Sequence, residues 1–283
     1  MYNFHIKIRN DATCRQLRCG EALVTIFTCP LTNKLQDIWS DYNYVMYVLE
    51  GRKIWHTPTG SYDLKQGDSV FVRKGASIVE QFIESDSCFM IFFFPDEFIC
   101  DSLERRTVAP LKPSARIAPV MPVINSSAAE AFFLSMMPYF RESYQPDPTL
   151  LELKFRELIL LIAENPANEE LLSWLCSLKH EPMAVLQRVM EDNFCFNLKL
   201  EDYAKLCARS LSAFKRDFLD IYQTTPGKWL LERRLTHARH LLANKAMTVA
   251  DAAFESGFES PSHFSRAFKQ KFGHTPVNAI MSY

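Results

Sequence analysis

Between residues 21 and 98 apolar and polar positions alternate with a period near two. The runs at 22–29, 44–49, 53–57, 69–73, 78–83 and 88–94 are short and rich in aromatic or β-branched residues, which predicts strands. Gly51, Pro58 with Gly60, Gly67-Asp68, Gly75 and Ser85-Asp86 punctuate them. Strands so closely spaced imply a sandwich or a barrel. The text changes after Pro95. Pro110, Pro113, Pro119 and Pro122 make 105–125 a connecting segment, because proline cannot sustain a long helix. Helical periodicity begins near Ser126, runs through 128–139 and resumes over 149–163. There Leu151, Phe155, Leu158 and Ile162 form one stripe, and Leu150, Leu153, Leu160 and Leu161 widen it until little polar girth remains. Such a helix must be covered on more than one side. A short helix over 168–178 precedes a boundary near 179–181, and 182–194 begins the next helical text. The expected organisation is a first domain at 1–165, a linker at 166–181 and a second domain at 182–283.

The last third is written twice. Phe214, Arg216, Phe218, Tyr222, Thr225, Pro226 and Leu230 recur fifty residues on as Phe264, Arg266, Phe268, Phe272, Thr275, Pro276 and Ile280. Upstream, 200–204 matches 249–253 at an offset of forty-nine, since Ala208 to Phe214 is one residue shorter than Gly257 to Phe264. Each unit reads as a short helix, a tight turn and a second amphipathic helix, the layout of a helix-turn-helix. Phe214, Phe218, Ile221 and Tyr222, and then Phe264, Phe268 and Phe272, fall on one apolar stripe at helical phase. The opposite stripe carries Ser212, Lys215, Arg216 and Leu219 in the first unit and Ser262, His263, Arg266 and Lys269 in the second. Ser210 and Ser260 suit N-caps, and Pro261 suits a first helical turn. Between the units, 226–243 predicts a helix with Trp229, Leu230, Leu235, Ala238, Leu241 and Leu242 inward and Lys228, Arg233 and Arg234 outward. At ~1.5 Å per residue it spans roughly 27 Å, near the ~34 Å between successive major-groove faces of B-DNA. A guanidinium on the outward stripe can fork onto guanine O6 and N7, discriminating by ~1–3 kcal/mol. Arg216 and Arg266 are the candidates for that contact. Lys228, Arg234, Lys269 and Lys271 are candidates for phosphate. A solvated helix face is the plain alternative for each.

Charge sharpens this picture. The chain has a net charge of −1, but from Glu181 onward Lys and Arg exceed Asp and Glu by three, leaving −4 upstream. The mild basicity sits where phosphate contacts would need it. The eight cysteines form no C-x-x-C pair and no Cys/His cluster with zinc spacing. Several lie in apolar runs, as reduced buried thiols do, which suits the cytoplasm. No basic-then-apolar leader opens the chain. The apolar run 88–95 is far shorter than the ~20 residues of a membrane helix. Metal-dependent cupin enzymes use an H-x-H pair with a Glu and a further His. Here only His56 falls in the strand region, with no H-x-H, and Glu80 is expected to have no histidine partner nearby. No metal and no catalysis are therefore expected. Phe89, Phe92, Phe93 and Phe94 read as core in preference to a ligand pocket. Cys14 and Cys19 lack the partners of a zinc-held DNA-repair methyl acceptor.

The stretch 198–280 resembles the AraC/XylS family of bacterial transcription regulators. The most diagnostic part is Asp251-Ala252-Ala253-Phe254-Glu255-Ser256-Gly257-Phe258-Glu259-Ser260, followed by Phe264-Ser265-Arg266-Ala267-Phe268-Lys269 and Gly273-His274-Thr275-Pro276. The resemblance implies base reading by Ser212, Lys215 and Arg216 in the first unit and by Ser262, His263 and Arg266 in the second. Ala208 departs from the glycine common in the first turn, and Ser212 is shorter than side chains seen in some relatives. Leu49-Glu50-Gly51 and the run 64–75 look like the family's cupin-like sensing module. The implied fold is α+β in two domains: an N-terminal cupin-like antiparallel β-barrel with flanking helices, and a C-terminal all-α domain of two helix-turn-helix units joined by a long helix. Relatives often dimerise through helices placed like 126–163. This makes Leu151, Phe155, Leu158 and Ile162 a candidate subunit interface, with burial against the barrel as the alternative. The implied protein is a homodimeric, non-enzymatic regulator, most often an activator, that binds double-stranded promoter DNA, works with RNA polymerase and needs no cofactor. Its barrel would answer a small-molecule or protein effector of unknown identity; the alternative is a structural, non-sensing barrel with control by a protein partner or by expression level.

Overall fold

The computed structural model describes residues 1–28, 35–57, 60–81, 87–104, 118–141, 144–178, 182–244 and 247–281. The expected strand ends at 29 and 82–83, the punctuation at Pro58 and Ser85-Asp86, the connection at 105–117 and the junction at 179–181 lie outside them. The chain divides into two units, Met1–Glu181 and Pro182–Tyr283.

The first unit runs β1 (Tyr2–Asn3), α1 (Phe4–Asn10), β2 (Gln16–Cys19), β3 (Ala22–Thr28), β4 (Leu35–Ser40), β5 (Asn43–Glu50), β6 (Arg52–Thr57), β7 (Gly60–Lys65), β8 (Ser69–Val72), β9 (Gly75–Gln81), β10 (Cys88–Phe94), α2 (Asp96–Leu103), β11 (Val120–Val123), α3 (Ser127–Met136), α4 (Pro148–Glu164) and α5 (Glu169–Ser177). One sheet has the order β1-β4-β9-β6-β7 and the other β11-β8-β5-β10-β3-β2. All pairings are antiparallel except β1 with β4. The expected sheet-rich antiparallel domain with flanking helices is present. The sheets stay separate instead of closing into a barrel, each keeping two edge strands.

β10 explains how the unit is layered. It sits inside the larger sheet between β3 and β5, so both of its faces need cover. Phe89, Ile91 and Phe93 point between the sheets with Phe27, Tyr44, Met46, Trp55 and Val79. Met90, Phe92 and Phe94 point the other way, into a second core built with α3, α4 and α5. Phe155 of α4 meets Phe92 and Phe94 edge-on at 5.9 Å each, and Phe133 of α3 stacks on Tyr47 at 4.3 Å. The aromatic run is thus core on both sides.

Three expectations change here. Leu151, Phe155, Leu158 and Ile162 are all buried in that second core, so they cannot form a subunit interface. The sheet needs that face of α4. What α4 leaves outside is the other flank, Leu150, Leu153 (60% exposed) and Leu160, with Leu134 (64% exposed) on α3. Next, 166–178 is packed into the first unit instead of linking. Leu171, Trp174 and Leu175 join the same core, and buried Asn168 ties the start of α5 down, accepting from Ile124 N at 2.8 Å and donating to Ile162 O at 3.0 Å. Finally, part of the proline-rich segment is a strand. Pro122 lies on β11, an edge strand, where a missing N–H breaks no interior ladder.

The second unit runs α6 (Pro182–Asn193), α7 (Leu200–Leu206), α8 (Leu211–Tyr222), α9 (Pro226–Asn244), α10 (Val249–Glu255), α11 (Pro261–Phe272) and α12 (Pro276–Met281). The duplication is carried into space. Phe214, Phe218 and Tyr222 form an aromatic ladder with steps of 5.9 and 4.5 Å, and Phe264, Phe268 and Phe272 one with steps of 5.4 and 4.6 Å. Ser210 and Ser260 accept the backbone N–H of Ala213 and His263, satisfying a donor that each helix start leaves open. The left-handed positions are occupied differently. The second unit has Gly257 and Gly273 at positive φ, whereas the first has Ala208 and Gln223, both at φ 52°.

Phe155→Ala or Leu158→Ala is expected to lower stability by ~2–5 kcal/mol in urea denaturation, while Leu153→Ala, on the open flank, costs under ~0.5 kcal/mol. Ala208→Gly relieves a left-handed alanine, at a cost in unfolded-chain entropy, and is expected to stabilise the chain by roughly 0.5–1 kcal/mol in the same assay.

Candidate nucleic-acid interface

α8 and α11 each bury one stripe and show the other. Phe214 and Phe218, like Phe264 and Phe268, have no exposed surface, and this fixes the rotation of each helix about its axis. Ser212, Lys215 and Arg216 are consequently exposed on α8, and Ser262, His263, Arg266 and Lys269 on α11. The fold brings the members of each set onto one helix face.

The two faces differ in their electrostatics. On α8 the Arg216 guanidinium, 71% exposed, lies 3.1 Å from Asp217 Oδ1. Asp217 is also held by Arg209 Nε at 2.9 Å, and these two arginines keep its carboxyl below the usual carboxylate range, Arg209 contributing most. Arg209 donates further to Cys207 O at 3.1 Å, bracing the turn between α7 and α8. On α11, the side chains of Arg266 and Lys269 have no hydrogen-bonding or ionic partner among the described residues. The His263 ring rests edge-on against Phe258 at 5.9 Å, so it is partly committed to the fold while its outer edge stays exposed.

The expected phosphate set splits in two. Lys228 at the start of α9 and Lys269 on α11 are exposed. Arg234 and Lys271 have their donors engaged within the fold, Arg234 half-buried and Lys271 still exposed. Arg234 turns in and donates from Nε to Phe194 O at 2.6 Å and from Nη2 to Phe196 O at 2.8 Å. Lys271 Nζ reaches α9 and donates to Glu232 O at 2.8 Å and Thr236 Oγ1 at 3.2 Å. Loss of water around it pushes its pKa below the ordinary lysine value. In both cases backbone carbonyls beside the side chain accept its donors. Helical phase alone cannot reveal this, because α9 is flanked by both helix-turn-helix units. Sequence reasoning also passed over Arg209 and Asp217, whose pairing joins a turn to the following helix and leaves no periodic trace.

Elsewhere, His56 and Glu80 do meet, contrary to their separation in sequence. His56 Nε2 is 2.9 Å from Glu80 Oε2, and its Nδ1 is 2.8 Å from Ser61 Oγ. Adjacent strands bring them together on the smaller sheet. Among the described residues no group of three His, Cys, Asp or Glu is placed to hold a metal, and no helix is long and apolar enough to cross a membrane. The described cysteines are free thiols. Burial pushes the Cys195 thiol up to about 12, which leaves it a protonated, unreactive packing group.

Comparison with known proteins agrees with both units. Residues 43–174 match the model of the ExsA N-terminal regulatory domain, and residues 203–279 match a helix-turn-helix domain. The virulence regulon transcriptional activator VirF of Yersinia enterocolitica is 30% identical over 244 residues, covering 83% of this chain and 88% of that one. The HTH-type transcriptional regulator ExsA of Pseudomonas aeruginosa is 30% identical over 234 residues, covering 82% and 84%. Among solved structures, an apo form of ToxT from Vibrio cholerae aligns over 94% of this chain and 99% of its own, with 12% identity and a TM-score of 0.44. With two helix-turn-helix units hung on one helix behind a sheet-rich domain, and relatives matched along most of their length, the chain belongs to the AraC/XylS family of transcription regulators.

Proposed function

We propose that the protein is a sequence-specific activator of transcription that reads promoter DNA with α8 and α11 in successive major grooves. The observation that carries this reading is the exposed pair of matched faces, Ser212, Lys215 and Arg216 on α8 and Ser262, His263 and Arg266 on α11, each fixed in rotation by two fully buried phenylalanines. At 19 residues, α9 spans about 28 Å, comparable with one turn of B-DNA. Lys228 and Lys269 are available for phosphate, which sets register without reading sequence. Activation is supported by the activators among the relatives, VirF included; recruitment of RNA polymerase belongs with that reading.

The same proposal includes a homodimer. The stripe Leu150, Leu153 and Leu160 on α4, with Leu134 on α3, is apolar and exposed, and a second copy would cover it.

One observation bears on control. The space between the sheets, lined by Phe4, Phe27, Met46, Trp55, Phe89 and Ile91 among others, leaves room on the order of one water molecule. That pocket has no room for a metabolite, and the proposal is regulation by a protein partner or by expression level in preference to a small molecule held in it. A thermal-shift screen against small metabolites, run beside affinity capture of partners, separates the two: a ligand-induced rise in melting temperature would overturn this preference.

Arg266→Ala is expected to weaken binding to a selected duplex by ~10- to 100-fold, the value of one bidentate guanine contact, and to leave binding to a scrambled duplex within about twofold at the same salt. Equal loss on both would assign Arg266 to phosphate. Leu153→Glu is expected to shift the protein from dimer to monomer in analytical ultracentrifugation while its circular dichroism spectrum stays that of the folded chain; a dimer that survives places the subunit contact elsewhere.

A further inference from the structure

The two turns of the repeat are not equivalent, and the reason lies outside either turn. Ala208 carries its side-chain carbon at φ 52°. A carbon added to Gly257, at φ +85°, would lie 2.5 Å from Cys195 O and 3.1 Å from Arg234 Nε. Gly257 opens the second unit's turn, whereas Cys195 sits between α6 and α7, ahead of the first unit. The backbone leading into the first unit therefore lies directly against the turn of the second.

That backbone is held from several directions. Arg234, on α9, spans Phe194 O and Phe196 O with two nitrogens of one rigid fork. Its neighbour Arg233 covers the Phe194 ring at 4.8 Å and pairs with Glu191 at 2.8 Å. His237 meets the same ring edge-on at 5.3 Å. Asn197 donates to Glu259, joining the residues just before the first unit to those just before α11. On the first-unit side, Tyr203 of α7 donates to Asn193 O at 2.8 Å, and Asn193 donates to Val189 O at 2.8 Å. An unbroken chain of contacts thus runs from α7 through 193–197 and Arg234 to the turn between α10 and α11.

We propose that Arg234 is a positioning residue that sets the spacing and relative rotation of α8 and α11, with Gly257 as the seat it closes against, so that the protein accepts its two half-sites at one separation only. This rests on the DNA-reading proposal above and goes beyond it by naming what fixes the geometry. A long shared helix alone leaves each unit free to rock about its own contacts with α9. The 193–197 segment removes that freedom by touching both units at once. An arginine suits the role because its planar fork meets two carbonyls in fixed geometry, which a lysine ammonium does not reproduce.

The test uses the full chain and a duplex it selects from a random 30-base-pair library, the same duplex with one base pair inserted between the two contacted segments, and a scrambled duplex. The insertion displaces one half-site by ~3.4 Å and turns it by roughly 35°. The unaltered protein is expected to lose on the order of tenfold or more in affinity on the insertion. Arg234→Ala and Arg234→Lys are both expected to bind the selected duplex on the order of tenfold more weakly and to show less than threefold difference between it and the insertion duplex. Their binding to scrambled DNA, and its salt dependence, is expected to stay unchanged. If instead Arg234→Ala keeps the full penalty for insertion, or loses affinity equally on every duplex with a shallower salt slope, the positioning role is overturned and a phosphate contact takes its place. Should Arg234→Ala fail to fold, the exposed pair Asn197→Ala with Glu259→Ala is expected to reduce the insertion penalty in the same direction; an unchanged penalty there overturns the proposal as well. If the unaltered protein enriches no sequence from the library, the DNA-reading proposal itself fails, and that outcome is distinct from the others.

Discussion

A helix of seven residues cannot bury an apolar face by itself, and neither α7 nor α10 is longer than that. Each helix-turn-helix unit in this chain is therefore incomplete until it lies on α9. The first unit places its aromatic ladder against the start of that helix, where Trp229 packs on Phe218 and Tyr222 at 6.0 and 5.3 Å. The second uses the far half, where Leu235, Ala238, Leu241 and Leu242 join Ala252, Ala253, Phe264 and Phe268 in one core. The exposure of the opposite faces follows from this shared support: once the phenylalanines are seated, Arg216 and Arg266 have nowhere to go but outward. Function in this half of the molecule is a by-product of where its rings must be buried.

The N-terminal half obeys a parallel rule with a sheet as the shared element. A strand apolar on both faces needs two covers, and β10 receives one from the facing sheet and one from α3, α4 and α5. The demand fixes the role of α4. Its Phe155 stripe is taken by the sheet, and only the flank marked by Leu150, Leu153 and Leu160 remains. The extra apolar girth visible in the sequence does leave apolar surface on α4, but on the flank away from the Phe155 stripe. Burial against one's own sheet outcompetes a subunit contact because it costs no association entropy.

How much could be read in advance varied with the range of the interactions. The duplicated unit was legible because periodicity, capping serines and matched offsets are local, and the buried ladders follow from them directly. The strands at the heart of the larger sheet were legible for the same reason. β1, β2, β4, β7 and β11 were missed: β1 and β2 are short and precede the alternating stretch, β4 and β7 carry polar or mixed text toward the edges of the smaller sheet, and β11 contains Pro122. The 166–178 stretch looked like a linker, since nothing local announces that Asn168 will satisfy the backbone at Ile124. At the site, outward phase identified the exposed cations on α8 and α11 but did not reveal that Arg234 and Lys271 are hydrogen-bonded within the fold. Their partners are carbonyls from segments roughly forty residues away, and carbonyls carry no residue-specific mark in a sequence.

The Arg216–Asp217 contact has a further consequence. α8 holds two cations and two carboxylates, whereas α11 holds Arg266, Lys269 and Lys271 and no acid at all. Counted over the whole repeat, though, both copies balance: Asp251, Glu255 and Glu259 offset the cations of α11, so the acids that sit beside Arg216 on its own helix in the first copy sit ahead of the helix in the second. The repeat has thus kept its shape while its charge has been redistributed: an acid shares the helix face with the arginine in one copy and is left off that face in the other, so the two matched arginines meet solvent under different local fields.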